Sequence, residues 1–467
     1  MTITVTASDW AAVTPILVVA LTGLAVLVVD LFARTFVPRY VAIVIAAIGT
    51  IAAAVYCFQQ YGQPAAAFGG AFLTDNASVL FQEIVLLATL GSVVLYGALG
   101  EDRHIASTLA LMLWSACGAM LMSGAGNLMT IFLGLELLSL ALYVLCGMSN
   151  RAGAREAALK YLILSSTASA FLLYGMGLLF GATGSVALSA LANPALNSNP
   201  AFWIGLGLFF VGIAFKLSLV PFHTWAPDVY EGAPLPVTAF MSVATKAGVL
   251  AVLARVFLWS LPSQHSSALL LPVWIVAGIS MIAGNVGMLA QHDLKRLLAY
   301  SGIAQIGYIL AALAGAGAEG FNAALYYLIA YAFMNLGAFA IAATLSSDRE
   351  EGTLLANYRG LGYRRPWAAF AMSICLLAMA GLPPTAGFLG KIFILRASVQ
   401  TGYVWLGALL IIGTAISLYA YGRVVRAIYD RDPHVTHDAK PFVPLAWVSA
   451  AVCTIAVIAL TFYPFPR

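Results

Sequence analysis

Apolar stretches of about twenty residues, separated by short polar connections, recur from one end of the chain to the other. A helix rises about 1.5 Å per residue and a bilayer core is about 30 Å thick, so each stretch predicts a membrane-spanning helix. Fourteen such spans are predicted, at 11–33, 40–60, 76–99, 105–122, 127–149, 157–182, 201–222, 235–260, 269–290, 297–316, 320–346, 367–398, 402–427 and 442–463. The alternating pattern of membrane barrel strands is absent. The longest polar connection, Ser346 to Pro366, is too small for a globular domain. Whatever the chain does is therefore expected inside the membrane or through contact with other subunits.

Composition strengthens this picture. Hydrophobic residues make up 62% of the 467 and charged residues only 9%, against about 25% charged in an ordinary soluble domain. The formal charge of +4 matters less than its placement. No basic arm or domain exists to hold nucleic acid. The chain carries Asp9 and no basic residue before Arg34, a start unlike a cleavable signal peptide. Cys57, Cys117, Cys146, Cys375 and Cys453 fall within apolar runs without CxxC spacing. They read as small buried hydrophobes, and an iron–sulfur or haem site made by this chain alone is not expected.

The loops after odd-numbered spans hold Arg34, Arg39, Arg103, Arg151, Arg155, Lys295, Arg296, Arg349, Arg359, Arg364, Arg365, Arg423, Arg426, Arg431 and Lys440. The opposite side has Arg255, Arg396 and Arg467. Because basic loops stay on the cytoplasmic side, this asymmetry predicts an even span count with both termini outside. An internal repeat is also visible. The pattern AAL-x-YLI opens span six at Ala157–Ile163 and span eleven at Ala323–Ile329. Pro221 in span seven and Pro383-Pro384 in span twelve are likewise five spans apart. An odd offset turns the second copy upside down, and inverted repeats with broken helices are a transporter architecture.

Four lysines lie within apolar spans, namely Lys160, Lys216, Lys246 and Lys391, together with the acids Glu83 and Glu136. Each intramembrane charge opposes insertion by about 2.5–3.5 kcal/mol or more, so such residues should face the protein interior and have partners. Lys160 lies near a span end with Glu156 one turn before it, and snorkelling or an i,i+4 pair would also explain it. Glu136 could be interhelical glue, and Glu83 has less context still. Lys246 sits mid-span, too far from either end to snorkel. His265 and His434 read as loop residues. Prolines lack an N–H, so Pro221 leaves the carbonyl of Leu217 free and Pro383 that of Met379. Free carbonyls within a membrane need water or side chains, and Lys216 and Lys391 are close to these breaks. A lysine holds its proton less firmly when dry and more firmly as a carboxylate approaches, which makes it a switchable carrier.

The stretch VPFHTWAPDVYEGAPLPVTAFMSVATK, Val220–Lys246, resembles the signature of the subunit N family of bacterial NADH:quinone oxidoreductase, complex I. Further matches are GLELLSLALYVL from Gly134, EAALKYLILS from Glu156, DLKRLLAYSGIAQIGY from Asp293 and MAGLPPTAGFLGKIFI from Met379. The resemblance implies an all-α polytopic protein of about 14 helices with two inverted five-helix repeats and helices seven and twelve broken. It divides the chain into helices one to three (1–100), a first repeat (101–262), a second (263–431) and helix fourteen (432–467). It implies proton translocation, with Glu136 paired to Lys216, Lys246 central, and Lys391 near the outer exit. Lys160 and His223 match further polar positions, whereas Asp228 and Glu231 lie in the signature loop and are expected to be structural.

The resemblance further implies no redox centre on this chain. Flavin mononucleotide (FMN), iron–sulfur clusters and quinone would belong to partner subunits, and the partners would be neighbouring antiporter-like and small membrane-arm subunits and lipid. The expected location is the bacterial inner membrane with both termini periplasmic. Two departures stand out. Gln305 occupies a position where many relatives carry a histidine in a break of span ten, and the chain ends soon after span fourteen, which implies no long lateral helix. A stand-alone or Mrp-type cation/proton antiporter, or a structural membrane subunit with vestigial charges, would share much of the pattern. The DVYEGAP loop favours complex I.

Overall fold

The computed structural model describes residues 5–33, 40–99, 104–149, 152–261, 263–313, 317–346, 352–430 and 444–463. His434 and several of the loop arginines, Arg34, Arg39, Arg103, Arg151, Arg349, Arg431 and Arg467 among them, lie outside these residues, as do Lys440 and the side chain of His265.

Among the described residues, sixteen helices carry the fold. They are α1 (Ala7–Ala33), α2 (Tyr40–Gln59), α3 (Asn76–Ala98), α4 (Ile105–Ser123), α5 (Leu128–Gly147), α6 (Ala152–Thr183), α7 (Pro200–Lys216) and α8 (Trp225–Gly232). Next come α9 (Leu235–Ser260), α10 (Ser263–Met288), α11 (Leu294–Leu313) and α12 (Gly317–Leu345). The last four are α13 (Pro366–Ala380), α14 (Ala386–Gln400), α15 (Val404–Ile428) and α16 (Pro444–Phe462). Twelve of these are long and apolar enough to span a membrane, and the apolar α7 and α13 are shorter. The shorter two are the interrupted spans, seven and twelve. The fold is therefore an all-α polytopic membrane fold. Spans four to eight and spans nine to thirteen each carry the interruption in fourth place.

Each interruption has a local cause. Helix α7 starts at Asn199, whose side chain accepts from the Ala201 N–H, and at Pro200, which has no N–H to satisfy. It ends at Lys216, and Ser218 then takes a positive φ of 59° ahead of a cis Val220-Pro221 bond. Helix α13 ends in a Schellman turn. Gly381, at φ 84°, donates to Leu377 and Ala378, and Leu382 also donates to Leu377. The Pro383-Pro384 bond is cis, and Thr385 then caps α14 by accepting from Phe388 N. Span ten, by contrast, is unbroken: α11 runs continuously from Leu294 to Leu313 with Gln305 inside it. Wider π turns occur instead in α9, at Met241–Thr245 and Ala254–Ser260.

The chain forms two compact units. The first comprises Met1–Val93, Asp102–Leu217 and Gly232–Leu269, and the second Val94–Glu101, Ser218–Glu231 and Leu270–Arg467. In the first unit small residues bring helices into close contact, as is usual where no hydrophobic effect drives association. A side chain at Gly175 of α6 would meet the Gly205 carbonyl of α7 at 2.7 Å, and Gly134 of α5 sits 2.8 Å from the Gly118 carbonyl of α4 in the same sense. A short hairpin, Ala65–Ala67 with Phe72–Thr74, was not foreseen from the sequence. It buries Phe72 against Ala12 and Val13, and Leu73 N donates to Gly124 O at 2.6 Å. The five cysteines are buried and free, as their apolar surroundings predict.

Candidate functional site

In the first unit the close α6–α7 crossing brings Tyr161 to the end of α7. Lys216, 2% exposed, donates to the Tyr161 hydroxyl at 3.2 Å. Its ammonium also lies 4.8 Å from the Tyr161 ring centre and 5.6 Å from that of Tyr143 on α5. The two rings meet edge to face at 5.0 Å. This aromatic clamp stabilises the cationic form by the quadrupoles of two rings and by one charge-assisted bond. Tyr161 is the tyrosine of the first AAL-x-YLI copy, so the repeat carries a residue of the site that charge-based reading passed over.

Glu136 is half-buried on α5 and accepts from Ser169 Oγ at 2.6 Å. It lies close enough to Lys216 to act on it through charge. The two do not form the direct ion pair the resemblance implies: in this arrangement the carboxylate is held by a serine and the ammonium by a tyrosine. The Tyr143 hydroxyl and Ser165 Oγ are shielded and close to one another. Lys246, 1% exposed, lies in α9 directly after the first π turn. The membrane-spanning window of α9 is buried throughout, as expected of a helix that is apolar all round. Lys160 is partly exposed and pairs with Glu156 at 2.8 Å, the i,i+4 partner visible in the sequence.

In the second unit Lys391 reaches from α14 back to the end of α13. It donates to Met379 O at 3.1 Å and Ala380 O at 2.9 Å, and its ammonium stands 4.9 Å from the Tyr308 ring centre. The last four carbonyls of α13 are thereby all satisfied, two by the Schellman turn and two by Lys391. The negative end of the helix dipole faces the charge. Gln305 donates to the same Met379 carbonyl at 3.3 Å and accepts from the Tyr327 hydroxyl at 2.5 Å. Tyr327 is the tyrosine of the second AAL-x-YLI copy. The carbonyl that Pro383 was expected to set free is the one at which these side chains converge.

His223 is also in the second unit, half-buried, with its ring 6.5 Å from that of Tyr300 and no partner for Nδ1 among the described residues. Asp228 and Glu231 both grip Arg296, at 2.8 and 2.7 Å, which is the structural role expected for the signature loop. Asp293 begins α11, accepting from Lys295 N at 2.7 Å and from Thr353 Oγ1 at 2.6 Å, and burial pushes its carboxyl above the ordinary range. One half-buried ion pair was not foreseen. Arg255, counted from sequence as a loop residue, is 4% exposed inside α9, donating to Asp75 at 3.0 Å and to Ser123 O at 2.7 Å. Its position five residues inside the end of span eight was the available signal. No group of three or more metal-ligating His, Cys, Asp or Glu residues occurs among the described residues.

Apolar helices with two interrupted spans, and a buried lysine beside each interruption, define an antiporter-like membrane carrier. The comparisons with known proteins agree. The family described as NADH:quinone oxidoreductase/Mrp antiporter, TM, matches residues 125–417. NADH-quinone oxidoreductase subunit N 1 of Symbiobacterium thermophilum is 40% identical, over 97% of this chain and 95% of its own length. A chain of respiratory complex I from Thermus thermophilus with bound aureothin is 32% identical with a TM-score of 0.83, covering 96% of this chain and 97% of that one. A chain of the Mrp complex from Dietzia sp. shares the fold, with a TM-score of 0.81 at 21% identity, covering 97% and 94%. This chain belongs to the NADH:quinone oxidoreductase/Mrp antiporter family, on its subunit N branch.

Proposed function

We propose that this chain is the proton-translocating, antiporter-like subunit of a bacterial complex I, a multi-pass protein among the other membrane-arm subunits and lipid. Electron transfer from NADH to quinone takes place on those partners, and this chain contributes no cofactor. Both termini lie on the periplasmic face of the inner membrane. Residues 1–100 form the leading helices, 101–262 and 263–431 the two repeats, and 432–467 the last helix.

The observation that carries this reading is the seating of Lys216 on the Tyr161 hydroxyl, with Glu136 near enough to act on it through charge. Exchange of the Lys216 ammonium from Tyr161 to Glu136 is the switching step. At an effective dielectric of about 20, closing a charge separation from about 8 to 4 Å is worth about 2 kcal/mol, or about thirtyfold in proton affinity. That change passes a proton through Lys246 and on to Lys391 along water, with Lys160 and His223 as further polar stations. Gln305 cannot titrate in the histidine's place, but it fixes the Met379 carbonyl at which Lys391 rests.

The test is purification of the tagged chain from native membranes in mild detergent. Co-purifying flavin, iron–sulfur absorbance and NADH:quinone activity support the proposal. A colourless preparation that exchanges cations for protons in vesicles would instead make it an antiporter of the Mrp type.

A further inference from the structure

Glu83 has no part in the lysine chain, and its surroundings in the first unit are unusual. A groove of about 560 Å³ runs between α2 and α3, lined by apolar side chains including Ile51, Val55, Phe58 and Leu87, with Glu83 set into it. The Glu83 Oε1 is shielded and has no hydrogen-bond partner. The nearby neutral donors do little for it: Thr50 gives its proton to Ala46 O at 2.7 Å, and the Cys57 thiol, a weak donor within reach of the Glu83 carboxyl, is shared with Val79 O at 3.7 Å. Among the described residues Glu83 has no ion pair. Beside it Gln82 is fully buried with both amide atoms unpartnered.

We propose that this groove seats a transmembrane helix of a neighbouring membrane subunit, which places a lysine or arginine side chain on Glu83. The proposal rests on the chain's membership of a multisubunit assembly. Charge complementarity selects the occupant, because a carboxylate left facing hydrocarbon is costly and a basic partner removes the cost. Depth argues against a lipid. Glu83 lies seven residues into α3, about 10 Å along the helix and below the reach of a headgroup amine, while an acyl chain offers no donor. The α2 wall from Thr50 to Gln59 is about 14 Å long, enough to hold two to three turns of a partner helix.

Dicyclohexylcarbodiimide, which modifies carboxyl groups in apolar surroundings, tests this. The full chain is labelled once expressed alone in membranes and once within the purified assembly, with the modified residue located by mass spectrometry. Labelling of Glu83 in the lone chain, with protection of about tenfold or more in the assembly, supports the proposal. Equal labelling in both overturns it and leaves the groove to lipid, whereas failure of the chain to enter any assembly overturns the reading beneath it. As a second measurement, Glu83→Leu, which keeps the apolar groove, should weaken retention of neighbouring subunits on native gels by about thirtyfold or more. Unchanged retention in that variant also overturns the proposal.

Discussion

Replacing Tyr161 with phenylalanine removes one atom from the Lys216 clamp and leaves the rest in place. The hydroxyl that accepts from Lys216 at 3.2 Å is lost, while the ring 4.8 Å away remains. A hydrogen bond to a charged group contributes about 1.5–3 kcal/mol. At about 1.4 kcal/mol per decade, the balance of Lys216 between Tyr161 and Glu136 shifts roughly ten- to 150-fold toward the carboxylate. A switch held at one end moves fewer protons. Tyr143→Phe is the internal control, because Lys216 donates to the Tyr161 hydroxyl and not to that of Tyr143, whose ring alone faces the ammonium. Pumping is read as fluorescence quenching of an acridine dye in inverted vesicles oxidising NADH, normalised to the uncoupled oxidation rate. The Tyr161→Phe ratio should fall several-fold with the Tyr143→Phe ratio close to wild type. Equal ratios in the two variants, whether both normal or both lowered, would refute the proposed partner exchange.

Two further outcomes follow from the second unit. Lys391→Met leaves Ala380 O without its donor while Met379 O keeps Gln305, so the bundle should lose about 1–3 kcal/mol along with pumping, read as a lower thermal inactivation temperature in detergent. Asp293 holds its proton more firmly folded than unfolded, because burial raises its carboxyl. Its contribution is therefore most favourable below the ordinary aspartate value of about 4 and is lost as pH rises from there through the raised value. Asp293→Asn, which can still accept the helix N–H bonds, should flatten thermal stability across that acidic window, as measured by unfolding at a series of pH values.

Most of the architecture was legible because membrane helices announce themselves by length and apolarity. The proline argument went further and named the Met379 carbonyl, since a missing N–H four residues on has only one consequence for a helix. Side chains that act without being charged were harder to find. Tyr161 and Tyr327 stood inside a recognised repeat, but a tyrosine in an apolar run looks like packing until a lysine or a glutamine is seen bonded to it. Arg255 and Asp75 lie 180 residues apart in the chain, and no local pattern joins them. The hairpin at Ala65–Thr74 is three residues per strand, too short for alternation to show. Nor could the sequence tell that Lys216 rests on Tyr161, because a hydroxyl and a carboxylate both suit a buried ammonium and a one-dimensional pattern does not rank them.

The claim that buried lysines carry the proton is tested most directly at Lys246, in the buried α9. The Lys246→Ala variant is made in the full assembly, its incorporation verified on native gels, and proton pumping recorded against NADH oxidation. The account predicts an assembled complex that has lost most of its pumping. An assembled complex that pumps normally would contradict it.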